Sequence, residues 1–157
     1  MSKGEELAAA FEQANNAAVD AFKGFPASAW QTTTEGEGWT VAALAHHVAS
    51  GHEPIVGLLQ GIAAGAQLPP LTPEALDQQN ASNAAANSAA DSAATIALMT
   101  EWGPKGAAAL RSLSDADLAK TATIFGNSMS ASDFAQGIMI GHVTGHLKSL
   151  GETGGKQ

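Results

Sequence analysis

Cysteine is absent from all 157 residues of this chain, and so is tyrosine. Without cysteine there is no disulfide, no thiolate metal ligand and no cysteine nucleophile, so any thiol chemistry must use a thiol brought in from outside. Basic residues are scarce, 7 against 15 acidic ones, for a formal net charge of −8. Nucleic-acid binders neutralise phosphates with clustered Lys and Arg, and no such cluster occurs. The same deficit argues against an anionic membrane surface. No uninterrupted apolar run is long enough to span a bilayer, and Met1-Ser2-Lys3-Gly4-Glu5-Glu6 lacks the apolar core of a signal peptide. The expectation is a cytoplasmic protein with neither a nucleic-acid nor a membrane partner.

Alanine dominates the hydrophobic fraction of 45%, while aromatics supply only 5%. Ala is the best helix former and a poor strand former, so composition points to an all-α protein. The length suits one domain with its own core, here residues 1–151, followed by a Gly-rich flexible tail over 152–157. Leu7, Ala10, Phe11, Ala14, Ala18 and Phe22 give a first helix over about residues 4–24 one apolar face. Thr40 is a good N-cap for a second helix, striped by Val41, Leu44, Val48, Ile55, Leu59 and Ile62, with a kink expected near Ser50-Gly51 because Pro54 removes a donor. Thr72-Pro73-Glu74 starts a long, Ala-rich third helix that Pro104 should break or bend. Ser114-Asp115-Ala116-Asp117 predicts a short extra helical turn. Residues 121–129 are strand-like but brief, and a loop is expected there rather than a sheet. Ser130, with Asp133 in capping-box position, opens a last helix to Leu150, stopped by Gly151.

Histidine carries the only strong chemical signal. His142 and His146 are one turn apart on one helix face, the geometry two imidazoles need to share a metal ion. They continue the row Phe134, Ile138, His142, His146, so they face the core, where neutral imidazoles need partners. The competing reading is a pair satisfied by buried carbonyls. No Glu follows His142, so a zinc-protease signature is not met. On the second helix, His46 points almost opposite Val48 and is expected in solvent. His47 lies at the stripe's edge, above Gly51, and His52 falls nearer its centre. Spacing alone does not choose between His47 and His52.

The segment Trp39-Thr40-Val41-Ala42-Ala43-Leu44-Ala45-His46-His47-Val48 resembles the opening of the second helix in the DinB-like superfamily, where a metal-binding histidine stands at the position of His47. Gly141-His142-Val143-Thr144-Gly145-His146-Leu147 is similar to that family's terminal His-x-x-x-His. The resemblance spans roughly residues 5–150. It implies an up-down-down-up-like four-helix bundle with a three-histidine metal site, His47, His142 and His146. The related mycothiol-dependent maleylpyruvate isomerases use a mixed histidine and carboxylate set, whereas this chain matches with three histidines.

Three neutral imidazoles would leave a divalent ion with an open position. Zn²⁺ suits them best, and Ni²⁺, Fe²⁺ or Mn²⁺ also accept histidine nitrogen. Such an ion activates water for hydrolysis or a low-molecular-weight thiol for transfer, so the expected function is a metal-dependent thiol S-transferase or hydrolase on a small molecule. The alternative is a non-catalytic metal- or ligand-binding stress-response protein. His52 and Glu53 are the candidate acid/base groups, although a Glu is more often a solvated surface carboxylate. Asn80, Asn83 and Asn87 recur at helical spacing where a stripe should be apolar, so they and Trp39 are candidates for lining a wet pocket. Weakly charged, Ala-rich helices also favour a homodimer.

Overall fold

Ser2 sets the start of the first helix. Its hydroxyl accepts from the Glu5 amide at 3.2 Å, and the Glu5 carboxylate accepts from the Ser2 amide at 2.7 Å. Two otherwise free donors are thus satisfied reciprocally. In the computed structural model, which describes residues 1–154, helix α1 then runs Lys3–Lys23. A 3₁₀ turn, Ala27–Gln31, buries Trp30 against Phe22. Helix α2, Val41–Ala63, begins at Thr40, whose hydroxyl accepts from the Ala43 amide at 3.0 Å. It continues through Pro54.

The expected long third helix is two helices, α3 (Pro73–Ala86) and α4 (Ser92–Arg111). Side-chain competition for the backbone makes the break. Asn87 donates from its amide to the Asn83 carbonyl at 2.8 Å and ends α3, while the Asp91 carboxylate accepts from the Ala94 amide at 2.8 Å and starts α4. Pro104, expected to break the helix, lies inside α4 instead. It sits on the exposed face, where water can meet the carbonyl that lost its donor, and packing on two neighbouring helices holds the rest. The predicted extra turn is α5, Asp115–Leu118, with Ser114 and Asp117 forming the capping box.

Residues 121–129, expected as a loop, begin a real hairpin: β1 (Thr121–Ile124) pairs antiparallel with β2 (Asn127–Ser130), Thr121 opposite Ser130 and Ile124 opposite Asn127. Its two-residue turn puts Phe125 at φ 51° and Gly126 at φ 79°. Such a turn matches the twist of paired strands, but Phe is an unusual residue for it, so the sequence carries little turn signal. Ser130 then caps α6 (Ala131–Phe134), which passes through a π segment, Ala135–Ile140, into α7 (Gly141–Gly154). The helix does not stop at Gly151 as expected. The remainder of the expected tail, 155–157, lies outside the described residues.

Cross-helix contacts fix the directions. Gly4 packs against the Leu110 carbonyl and Asn15 reaches the Met99 carbonyl, so α1 and α4 are antiparallel. Thr40 donates to the Ser88 carbonyl at 2.7 Å, bringing the starts of α2 and α4 to one end. Gly51 faces His142, while Glu37, just before α2, bonds His146, so α2 and α7 run oppositely. The result is an up-down-down-up four-helix bundle. Both α4 and the last helix pack against α1 and against α2, which leaves α1 and α2 at opposite corners.

Across that diagonal, α1 and α2 meet through side chains. Asn15, only 1% exposed, donates to the Met99 carbonyl at 3.0 Å, and its Oδ1 lies 2.8 Å from His52 Nε2. A Cβ on Gly103 would come within 2.7 Å of the Asn15 amide, so glycine there makes room for the bridge. Asn15 therefore ties α1, α2 and α4 together in the apolar core, where an unmet polar group costs about 1–3 kcal/mol. Asn15→Ala should lower unfolding free energy by about 2 kcal/mol in urea titration. A loss below about 0.5 kcal/mol would mean the bridge adds nothing net.

Candidate metal centre

Local sequence aims each ring. His47 projects from α2 one turn ahead of Gly51, and a Cβ at Gly51 would sit 3.0 Å from the His142 ring. The missing side chain lets α7 approach. In the last helix, an α-helical four-residue step drifts around the axis, and the wider π turn rotates back. Phe134, Ile138, His142 and His146 consequently all line one cavity of about 550 Å³, as their spacing predicts.

His47, His142 and His146 each offer a ring nitrogen, and these atoms lie within 4.8 Å of one another. Ring centroids stand 4.7 to 4.8 Å apart, a nearly equilateral triangle. The His47 and His142 Nε2 atoms are separated by 2.8 Å, with room for one proton between two lone pairs. His142 Nδ1 is buried with no hydrogen-bond partner. Burial, reinforced by neighbouring His146, pushes the His47 pKa down to about 4, and burial with His47 and His146 pushes His142 down to about 3. Two half-buried rings held neutral, each turning a ring nitrogen toward the other, offer the kind of donors a divalent ion takes.

Glu37 supports the third ring, and sequence reasoning missed it. Its Oε1 accepts from His146 Nδ1 at 2.9 Å, and its Oε2 accepts from Ser149 Oγ at 2.6 Å. Burial raises the Glu37 carboxyl, but these two bonds outweigh it and hold it below the ordinary carboxylate value. With Nδ1–H committed to Glu37, His146 turns a free Nε2 lone pair to the site, the arrangement that orients metal-binding histidines generally. Gly36-Glu37-Gly38, which reads as flexible, is a shaped turn. A Cβ on Gly36 would collide with Ser149 Oγ, Gly38 has φ +72°, and Thr34 bonds the Trp39 carbonyl across the loop. Two glycines flanking one acid just before a histidine helix were the available signal.

The other candidates divide. Trp39 presents its ring edge-on to His47 at 5.2 Å and walls the site. Asn80, Asn83 and Asn87 line the cavity as expected. His46, expected in solvent, is half-buried and also lines it, because α3 packs over that side of α2. His52 is inward, 2% exposed, but it faces Asn15 and the edge of Phe11 and is not part of the cavity wall. Glu53 is exposed and also absent from that wall.

Fold and site together define a four-helix bundle whose second and last helices carry a histidine centre. A model of the DinB superfamily matches residues 10–150, and the chain belongs to that superfamily. Among solved structures it is similar to YfiT from Bacillus subtilis, described as a probable metal-dependent hydrolase with an unusual four-helix bundle topology: TM-score 0.77, 19% identity, 98% of this chain and 86% of that one. It is also similar to a mycothiol-dependent maleylpyruvate isomerase: TM-score 0.75, 20% identity, 96% of this chain but only 63% of that one. No curated protein matches the sequence.

Glu37→Gln should weaken metal binding about 10- to 100-fold in a chelator competition, the usual cost of losing such a support. An unchanged affinity would remove Glu37 from the centre. A second outcome concerns pH. Burial lowers the His52 pKa to about 4 from 6.5. The unfolded chain therefore takes up that proton first, and stability falls as pH drops from 6.5 toward 4. His52→Gln keeps a donor for Asn15 without titrating, so its urea midpoint should change less between pH 7 and pH 4.5 than that of the parent. Equal changes in both proteins would show that His52 is not neutral in the fold.

Proposed function

We propose that this protein is a metal-dependent enzyme that transfers or hydrolyses a small molecule, with His47, His142 and His146 holding one divalent ion. The observation that carries this reading is the convergence of three imidazole nitrogens, drawn from α2 and α7, at a cavity of about 550 Å³. Zinc suits three neutral imidazoles best. When bound, the ion supplies Lewis acidity, lowering the pKa of water or of a low-molecular-weight thiol so that either is a nucleophile near neutral pH. The chain, lacking cysteine, has no thiol of its own.

The protein's own residues divide the remaining work. Glu37 fixes the His146 tautomer, Trp39 closes one side against water, and the amides of Asn80, Asn83 and Asn87 orient the ligand. Proton transfer falls to His46, the titratable side chain on the cavity wall outside the triad. Relatives offer a hydrolase-like and a thiol-dependent precedent for such a bundle. A second reading, a non-catalytic module that captures a ligand through its metal, draws on one observation: no carboxylate lines the cavity. Among the described residues no helix is long and apolar enough to cross a membrane.

Elemental analysis of untagged protein should find one divalent ion per chain, and His47→Ala with His142→Ala should abolish it. Turnover of ester and thiol-transfer substrates by the parent, lost in that double variant, is the result expected of an enzyme. Stoichiometric metal without turnover, together with ligand-dependent thermal stabilisation, would favour the capture reading. Protein without metal would overturn both.

A further inference from the structure

The cavity beside the histidines has two unlike walls, and neither carries a formal charge. One is apolar, built by Ile55 and Leu58 of α2, Ile124 and Phe125 of the hairpin, and Phe134 and Ile138 of the last helix. The other is built by α3 and its flanks, where Leu71 and Leu76 lead into a row of neutral amides, Gln79, Asn80, Asn83 and Asn87. No Lys, Arg, Asp or Glu is among the lining residues.

Two observations indicate that these walls serve a ligand. Phe125 is the only non-glycine residue among those described with a positive φ, 51°. For a bulky side chain the left-handed region is unfavourable, and Asn or Gly would make the same turn at lower cost. Strain of this kind persists where surroundings hold it, typically beside ligands. Here it delivers a ring, packed on the core, to the cavity wall. Of the amide row, Asn87 caps α3, but Gln79, Asn80 and Asn83 are unexplained by packing. Ala84 is the one buried residue of α3, and Leu76 is left 37% exposed, so the helix is not held by an apolar face and its amides do not serve the core.

We propose that the cavity selects an uncharged amphiphilic small molecule. Its apolar end lies on Phe125 and Ile124, its hydrogen-bonding flank runs along Asn80, Asn83 and Asn87, and its reactive group reaches the histidines. Only the last contact rests on the metal-centre reading. A carboxylate or phosphate on the ligand's apolar end would be desolvated against buried Ile124 with no cation to pair with it. The chain's net charge of −8 opposes it further. Glutathione-like polyanions are thereby disfavoured, and neutral compounds of similar length are accepted.

The test is calorimetry on zinc-loaded protein with two probes of equal length, 4-(4-carbamoylphenyl)butanohydroxamate, which is neutral, and 4-(4-carboxyphenyl)butanohydroxamate. The neutral probe should bind tighter by about tenfold or more. Phe125→Asn, which makes a favoured Asn-Gly turn and so keeps the hairpin, should weaken the neutral probe about tenfold while leaving short acetohydroxamate unchanged. Zinc retained with equal affinity for both probes overturns the selectivity and leaves the metal reading standing. If zinc is not retained the metal reading fails instead, and 4-(4-carbamoylphenyl)butanamide against 4-(4-carboxyphenyl)butanamide makes the same comparison on the metal-free protein.

Discussion

At the centre of this molecule two imidazole nitrogens from different helices approach to 2.8 Å, and most of the architecture can be read as what that approach requires. Helices α2 and α7 must be antiparallel neighbours, so that a pair four residues apart on one meets a single ring on the other. They must also come close, which Gly51 permits by offering no Cβ to the His142 ring. Both rings must stay neutral, and burial ensures it by penalising the charged forms. Moving either ring away would break up a core in which Val48, Met139 and Val143 are all but sealed from solvent.

Scarcity of large side chains serves the same end. An Ala-rich bundle brings its helices near enough for side chains to meet across a diagonal, as Asn15 and His52 do. It leaves little bulk to fill the space beyond the histidines, and α3 and the hairpin cover that space without filling it. Small residues therefore account both for the close crossing at the centre and for the cavity beside it. Larger side chains at Gly51, Gly103 or Gly106 would press on His142, Asn15 or Phe11 respectively, so these glycines matter through closeness of approach rather than backbone freedom.

Sequence pattern reached α1, α2 and the last helix because each depends on local periodicity or on residues one turn apart. His142 and His146 are such a pair. Choosing His47 over His52 was beyond spacing, since both point inward, one toward α7 and the other toward α1, and only the resemblance to a family separated them. The break between α3 and α4 was written in Asn87 and Asp91, but Ala-rich sequence on both sides concealed it. The hairpin was hidden for the opposite reason, because its turn uses Phe125 where turn chemistry would ask for Asn or Gly. Glu37 was only hinted at by the two glycines that flank it: its partners His146 and Ser149 are more than 100 positions away, and no local pattern names such a contact. His46 was misread because a helical wheel knows nothing of a neighbouring helix such as α3.

Where the acid stands is the last part of the logic. Glu37 is the carboxylate hydrogen-bonded to the triad, and it holds His146 from behind instead of lining the cavity. A carboxylate inside would neutralise part of an ion's charge and would repel anionic groups. Placed behind a neutral imidazole, it fixes the ring's tautomer while the donors facing the cavity remain uncharged, so a divalent ion on them would keep its full charge toward the ligand. The same cavity offers no other cation, which makes the histidine end the one place where developing negative charge could be stabilised. Reactivity is thereby confined to whichever ligand atom reaches that end, and the amide and apolar walls are left to decide which molecules can bring one there.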